Sequence, residues 1–312
     1  MTAAERSQIL ALMAQGKPDF KDDTATVREA FDGLLATLPV DEEVLFETRT
    51  IAGIPGVWAD GPQDNGRVLL YLHGGAYVVG TPHGYRSLSS NLAQQAGTAL
   101  FSPRYRLAPE HQFPAPVDDA LAAYRGLLEE GYEPSSIVVA GDSAGGGLAA
   151  ALLLAIREAG LTQPAAAWLL SPWADLSCSA ETMRTKAHQD PLLDAEGLRR
   201  KAAEYLGEAP ADSPLASPAV AELHDLAPLL VHVGSHEILL DDAVSLVGRA
   251  GAAGTSARLV IGPEMFHVWP LFGFMLTEGR EALAEAGRFL AEHLQVARHE
   301  APTQPETTTA LA

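Results

Sequence analysis

The sequence predicts an α/β fold, a mostly parallel eight-stranded sheet with helices on both faces. Short apolar runs bounded by turn residues alternate with longer stretches whose apolar residues recur at three- and four-residue spacing, the rhythm of strands joined by crossover helices. A chain of 312 residues with 47% hydrophobic content can bury the core of one such domain together with an insertion.

In chain order, residues 1–40 fall outside the strand–helix rhythm and read as helical. Leu45–Ile51 and Gly56–Ala59 follow as an antiparallel strand pair. Then come strand Val68–His73, helix Tyr85–Ala96, strand Thr98–Pro103, helix Val117–Glu130, strand Ser136–Ala140, helix Ala144–Ala159 and strand Ala165–Ser171. Residues 179–212 break the pattern again, and they and the N-terminal segment are expected to meet as a lid. Strand Leu229–Gly234, helix Asp241–Ala252, strand Ala257–Ile261 and helix Glu278–Leu294 complete the series, with helices long enough for βαβ crossovers. The expected division is N-terminal cap helices over 1–40, a catalytic domain over 41–178 and 213–296, a cap insertion over 179–212, and a disordered tail over 297–312. That tail carries Pro302, Pro305 and a run of threonines.

Composition narrows the function classes. The 21 basic and 40 acidic side chains leave a formal charge of −19, which repels nucleic-acid phosphates, so no nucleic-acid partner is expected. Cys178 is the only cysteine, which excludes an intramolecular disulfide, a thiolate zinc site and an iron–sulfur cluster. No H-E-x-x-H helix occurs either, so a metal site is not expected. The longest apolar run, Leu148–Ile156, is too short for a membrane span. Residues 1–17 lack the basic start and continuous apolar stretch of a secretory signal, and a cytoplasmic location is expected.

The chemistry is carried first by Gly141-Asp142-Ser143-Ala144-Gly145, an apolar strand followed by G-x-S-x-G and a helix-forming run. This is the context of a nucleophile elbow, where a strained turn exposes a serine hydroxyl and only small residues two positions away let strand and helix approach. Upstream, His73-Gly74-Gly75-Ala76 ends an apolar strand, where glycines can aim backbone N–H groups at a developing oxyanion. Gly74, Gly75 and Ala144 are the expected donors.

A serine hydroxyl needs a base at neutral pH. Of ten histidines, His267 follows the last strand in a loop at the carboxyl end of the sheet, whereas His232 lies inside a strand and His236 on the loop of the acid. The acid should follow the preceding strand, which places Glu237 there. Asp241 and Asp242 are rivals, although on a first helical turn a carboxylate is favourable merely for the helix N-terminus. The chain order Ser143, Glu237, His267 is the order such hydrolases use.

From about Val68 to Trp269 the chain resembles the hormone-sensitive-lipase-like (bacterial family IV) esterases of the α/β-hydrolase superfamily, in the subgroup with a G-D-S-A-G elbow. The residues that carry the resemblance are His73-Gly-Gly-Ala-Tyr77, Tyr105-Arg-Leu-Ala-Pro-Glu-His111, Gly141-Asp-Ser-Ala-Gly145, Ser171-Pro-Trp-Ala-Asp-Leu176, Ser213-Pro-Leu-Ala-Ser-Pro218 and Gly234-Ser-His-Glu237. The resemblance implies an α/β-hydrolase fold with a helical cap, Glu237 as the acid, short acyl substrates, no cofactor and frequent homodimerisation through the sheet edge. Many members have a third glycine where this chain has Ala76. Its methyl group is expected to border the pocket, with Tyr77 shaping the same wall.

The expected activity is that of a carboxylesterase acting on a small-molecule ester, with Ser143 attacking the acyl carbon and an acyl-enzyme intermediate. A lactone hydrolase or an N- or O-acetyl deacylase would use the same parts. The alternative of another class is a non-catalytic small-molecule receptor on the same fold.

Overall fold

A computed structural model describes residues 3–14, 17–62 and 66–294. The strands are β1 (Phe46–Ile51), β2 (Ile54–Ala59), β3 (Val68–Leu72), β4 (Ala99–Pro103), β5 (Ile137–Asp142), β6 (Ala166–Leu170), β7 (Leu229–Gly234) and β8 (Ala257–Gly262). They form one eight-stranded sheet in the order β1-β2-β4-β3-β5-β6-β7-β8. Strand β2 runs antiparallel to β1 and β4, and every other pair is parallel. The mostly parallel eight-stranded sheet expected from periodicity is therefore borne out.

Strands β3, β5, β6 and β7 are buried along their whole length, as a sheet covered on both faces requires. Alternate side chains serve the two faces. Val68, Leu70 and Leu72 join one core, which includes residues of α4 (Ala115–Glu129), α5 (Ala144–Glu158) and α8 (Leu240–Ala252). Leu69 and Tyr71 join the other, with residues of α3 (Arg86–Ala96) and α9 (Thr277–His293). Helix α5 is apolar nearly all round because it is buried nearly all round, from Ala144 to Ile156.

The first 40 residues contribute α1 (Ala3–Ala14) and α2 (Thr24–Leu35), and the segment between β6 and β7 contributes α6 (Thr182–Thr185) and α7 (Ala195–Leu206). The two regions meet. Lys201 on α7, fully buried, donates to Asp22 O and Thr24 Oγ1 at 3.0 Å each and pairs with Glu204 at 2.7 Å. Phe20 meets Phe31 edge-on and packs against Gly197. The tail expected to be disordered lies outside the described residues.

Most strands differ from expectation by one or two residues at an end, and two of these shifts have a clear cause. β5 runs on to Asp142, because that residue still pairs with Leu170 of β6. β6 stops at Leu170, because Ser171 turns to a φ of +46°, outside the extended region.

Candidate active site

Ser143 occupies the tight turn between β5 and α5 with φ +53° and ψ −123°, a backbone region that side-chain-bearing residues rarely adopt. A Cβ on Gly141 would collide with the Gly145 carbonyl, and one on Gly145 would collide with the Leu72 and His73 carbonyls. Both glycines are therefore required for the strand and helix to come this close. The turn is closed by Ser143 N donating to Leu170 O at 2.8 Å and Trp173 N donating to Ser143 O at 2.9 Å.

His267 follows β8 and Glu237 follows β7, so neighbouring parallel strands deliver both loops to the same end of the sheet. Ser143 Oγ lies 2.9 Å from His267 Nε2, and His267 Nδ1 lies 2.8 Å from Glu237 Oε2. A carboxylate only accepts, so Nδ1 carries the proton and Nε2 is left to accept from the serine. Burial pushes the imidazole pKa down, but the hydrogen bond and charge of Glu237, with Asp190 and Asp142 beyond, hold it above the ordinary 6.5. Glu237 is fully buried, and its Oε1 accepts from Ser171 Oγ at 2.7 Å and Gly234 N at 2.5 Å.

The rival carboxylates are engaged elsewhere. Asp241 accepts from Thr182 N at 2.9 Å. Asp242 accepts from Ala174 N at 3.0 Å and Asp175 N at 2.9 Å, and burial pushes its pKa up to about 8. His232 accepts from Trp168 Nε1 at 2.9 Å and faces Glu285 at 3.0 Å, and His236 contacts Arg6 at 2.9 Å. Neither imidazole reaches the serine.

Two of the expected site residues are placed differently. The Gly74 amide donates to Asp142 Oδ1 at 2.9 Å, which removes it from the donors free to face a substrate oxygen. Asp142 also accepts from Tyr71 at 2.7 Å and Tyr85 at 3.1 Å. Burial raises its pKa to about 6 against these hydrogen bonds. The residues that do line the cavity at Ser143 are Gly75 and Ala76. Gly75 has φ +119° and could not carry a side chain, since a Cβ there would meet the Val79 carbonyl. Tyr77 is buried and stacks on Tyr205 with ring centroids 3.9 Å apart, so it supports the core behind the cavity instead of facing it. His73 is likewise structural. It stacks on Tyr105 at 4.4 Å, and burial lowers its pKa to about 4, which keeps it neutral.

The cavity at Ser143 is narrow, about 60 Å³, and mostly apolar. Phe20, Phe31 and Leu35 line it from the N-terminal segment, and Leu192, Leu193 and Leu198 from the insertion. Sequence reasoning assigned no role to Ser171, Asp142 or Asp190. For Ser171 and Asp142 the one legible signal was position, since Asp142 ends β5 and Ser171 follows β6 at the carboxyl end where sites of open α/β sheets collect.

A family model for the alpha/beta hydrolase fold matches residues 69–271. A solved esterase from the bacterial hormone-sensitive lipase (HSL) family superposes with a TM-score of 0.91 at 41% identity, covering 95% of this chain and all of that one. The chain belongs to the hormone-sensitive-lipase-like α/β-hydrolases. Like its relatives, this α/β-hydrolase is a serine carboxylic-ester hydrolase. An acetyl-hydrolase of Streptomyces hygroscopicus is 48% identical over 241 residues, covering 77% of this chain and 81% of the relative. An ethyl acetate hydrolase of Pseudomonas putida is 35% identical over 247 residues, covering 75% and 76%. Among the described residues of this α/β-hydrolase, no His, Cys, Asp and Glu group is placed to hold a metal ion, and no helix is long and apolar enough to cross a membrane.

Proposed function

We propose that this hydrolase cleaves esters of short acyl chains, acetyl among them, through an acyl-enzyme on Ser143. The observation that carries the reading is the continuous relay Ser143–His267–Glu237, with separations of 2.9 and 2.8 Å, whose serine and histidine line a narrow apolar cavity. His267 takes the serine proton as Oγ attacks the acyl carbon, and Glu237 stabilises the imidazolium that forms. Amides of Gly75, Ala76 and Ala144 hold the oxyanion, Gly74 being bound to Asp142. His267 then protonates the leaving alcohol, and water frees the acyl group by the reverse route.

The narrow cavity supports short acyl groups, and the names of the acetyl-hydrolase and ethyl acetate hydrolase relatives agree with that preference. Residues 1–40 and 179–212 act as a cap that closes this cavity over the ester. The outer strand β8 leaves Ile261 exposed, which supports a homodimer through that edge, to be measured as a dimeric mass by light scattering. A reducing cytoplasm suits a chain whose one thiol, Cys178, is buried, and cell fractionation tests that location.

The experiment is Ser143→Ala assayed on p-nitrophenyl acetate and butyrate. Turnover is expected to vanish while the circular dichroism spectrum is kept, and retained turnover refutes the nucleophile. Labelling of the unaltered protein by a fluorophosphonate separates this reading from that of a receptor, whose serine would not react.

A further inference from the structure

Asp190 stands where the insertion meets the carboxyl ends of the strands. It is 8% exposed, and both of its oxygens accept from backbone amides. Oδ1 accepts from Leu192 N at 2.9 Å and Leu193 N at 3.0 Å, and Oδ2 accepts from Ile238 N at 3.0 Å. Leu192 and Leu193 are part of the cavity wall at Ser143. Ile238 is the residue after Glu237. The Ile238 peptide is gripped on its other side as well, since its carbonyl accepts from Thr182 Oγ1 at 2.9 Å.

We propose that Asp190 is a positioning residue that couples the substrate pocket to the catalytic acid, holding the Leu192–Leu193 wall and the Glu237 loop with one carboxylate. The proposal rests on the Ser143–His267–Glu237 reading above. Loops that carry catalytic groups drift unless their backbone is tied, and a misplacement of about 1 Å can cost on the order of 100-fold in rate. Here the tie and the wall share an anchor, so substrate pressing on Leu192 or Leu193 bears on the same group that locates Glu237.

An amide side chain, with one accepting oxygen, could not make all three hydrogen bonds, and the charge of Asp190 has a second effect. It is one of three acidic groups, with Glu237 and Asp142, whose fields favour the imidazolium form of His267. Other charged groups around this loop are Arg6, Lys186 and Glu264, which act with Asp190 on His236, and Asp241, whose carboxylate accepts from Thr182 N. The Asp190 charge therefore favours the protonated base that forms as Ser143 attacks.

Asp190→Asn and Asp190→Ala are compared with the unaltered enzyme on p-nitrophenyl esters from acetate to octanoate across pH, normalised to active sites titrated with a fluorophosphonate. In Asp190→Asn the one carbonyl oxygen serves the two pocket amides and the NH₂ group faces Ile238 N–H, so the acid loop loses its anchor. The expected result is a fall in kcat of about 10-fold or more with KM and chain-length profile retained. The acid limb of kcat/KM should also move to lower pH, because His267 loses a neighbouring anion and its pKa falls. Asp190→Ala releases the wall too, and its chain-length profile should broaden toward longer acyl groups.

An Asp190→Asn enzyme with unaltered kcat and an unshifted acid limb overturns the proposal. So do two variants that merely fold in lower yield and show unaltered kinetics per active site. Ser143→Ala in the same assay keeps the two readings apart. Turnover by that variant defeats the triad, whereas its inactivity beside an unaffected Asp190→Asn defeats only the role of Asp190.

Discussion

Ser171 Oγ donates to Glu237 Oε1 at 2.7 Å, and both side chains are fully buried. The same hydroxyl accepts from Val268 N at 3.1 Å, the amide next to His267. One serine at the end of a central strand thus sets the acid and the base against each other. Its replacement by alanine leaves Val268 N–H without that acceptor and Glu237 Oε1 with Gly234 N alone. Ser171→Ala should lower stability by about 1–3 kcal/mol, the usual cost of an orphaned buried polar group. Rate constants and thermal melting check this, with kcat expected to fall about 10-fold as the loops lose register. A variant as stable and as active as the unaltered protein would exclude the buttress.

The three candidate carboxylates separate by substitution. In Glu237→Gln the one amide oxygen serves Ser171 Oγ and Gly234 N, so an NH₂ donor faces His267 Nδ1 and favours the wrong tautomer, and kcat should fall by about 100-fold or more. Asp241→Asn keeps an oxygen for Thr182 N and should leave the rate within about 3-fold, and Asp242→Asn, which imitates a carboxyl already held protonated near neutral pH, should do the same. A larger loss in either aspartate variant than in Glu237→Gln would move the acid.

The pH profile has a definite sign. His267 must be neutral to act as base, so kcat/KM is full above its pKa and is lost as pH falls through it. Because Glu237, Asp190 and Asp142 together outweigh burial, that limb is expected above pH 6.5. In Glu237→Gln, the hydrogen bond and the charge that raise the pKa are both gone, and the limb should move to lower pH. Initial rates across pH with a non-ionising ester measure both, and a limb that moves upward would contradict the electrostatic account.

Ala76 has φ +51° and faces the cavity. Ala76→Gly should relieve the left-handed backbone, leaving stability unchanged or raised by up to about 1 kcal/mol. It also removes a methyl group beside the ester. The ratio of turnover on tert-butyl acetate to that on ethyl acetate should rise, and an unchanged ratio would place the constraint elsewhere in the wall.

Much of this molecule was legible because its causes are local. Strand and helix periodicities act over a few residues, and β7 matches its expected Leu229–Gly234 bounds because each of its residues is buried. The elbow around Ser143 was legible for the same reason, since the clash that demands Gly141 and Gly145 occurs between neighbours in the turn. The choice of Glu237 over Asp241 and Asp242 leaned on position, as all three carboxylates occupy one short stretch.

By itself, then, the sequence determined the strand order in the chain, the tight glycine-flanked turn at Ser143, and the loops that carry Glu237 and His267. Tertiary structure alone decided which amides stay free, since Gly74 is taken by an aspartate on another strand. It also decided that Tyr77 turns toward Tyr205 and that Ser171 and Asp190 tie the loops together. Hydrogen-bond partners are chosen by side-chain direction across segments distant in the chain, and no local pattern encodes that direction.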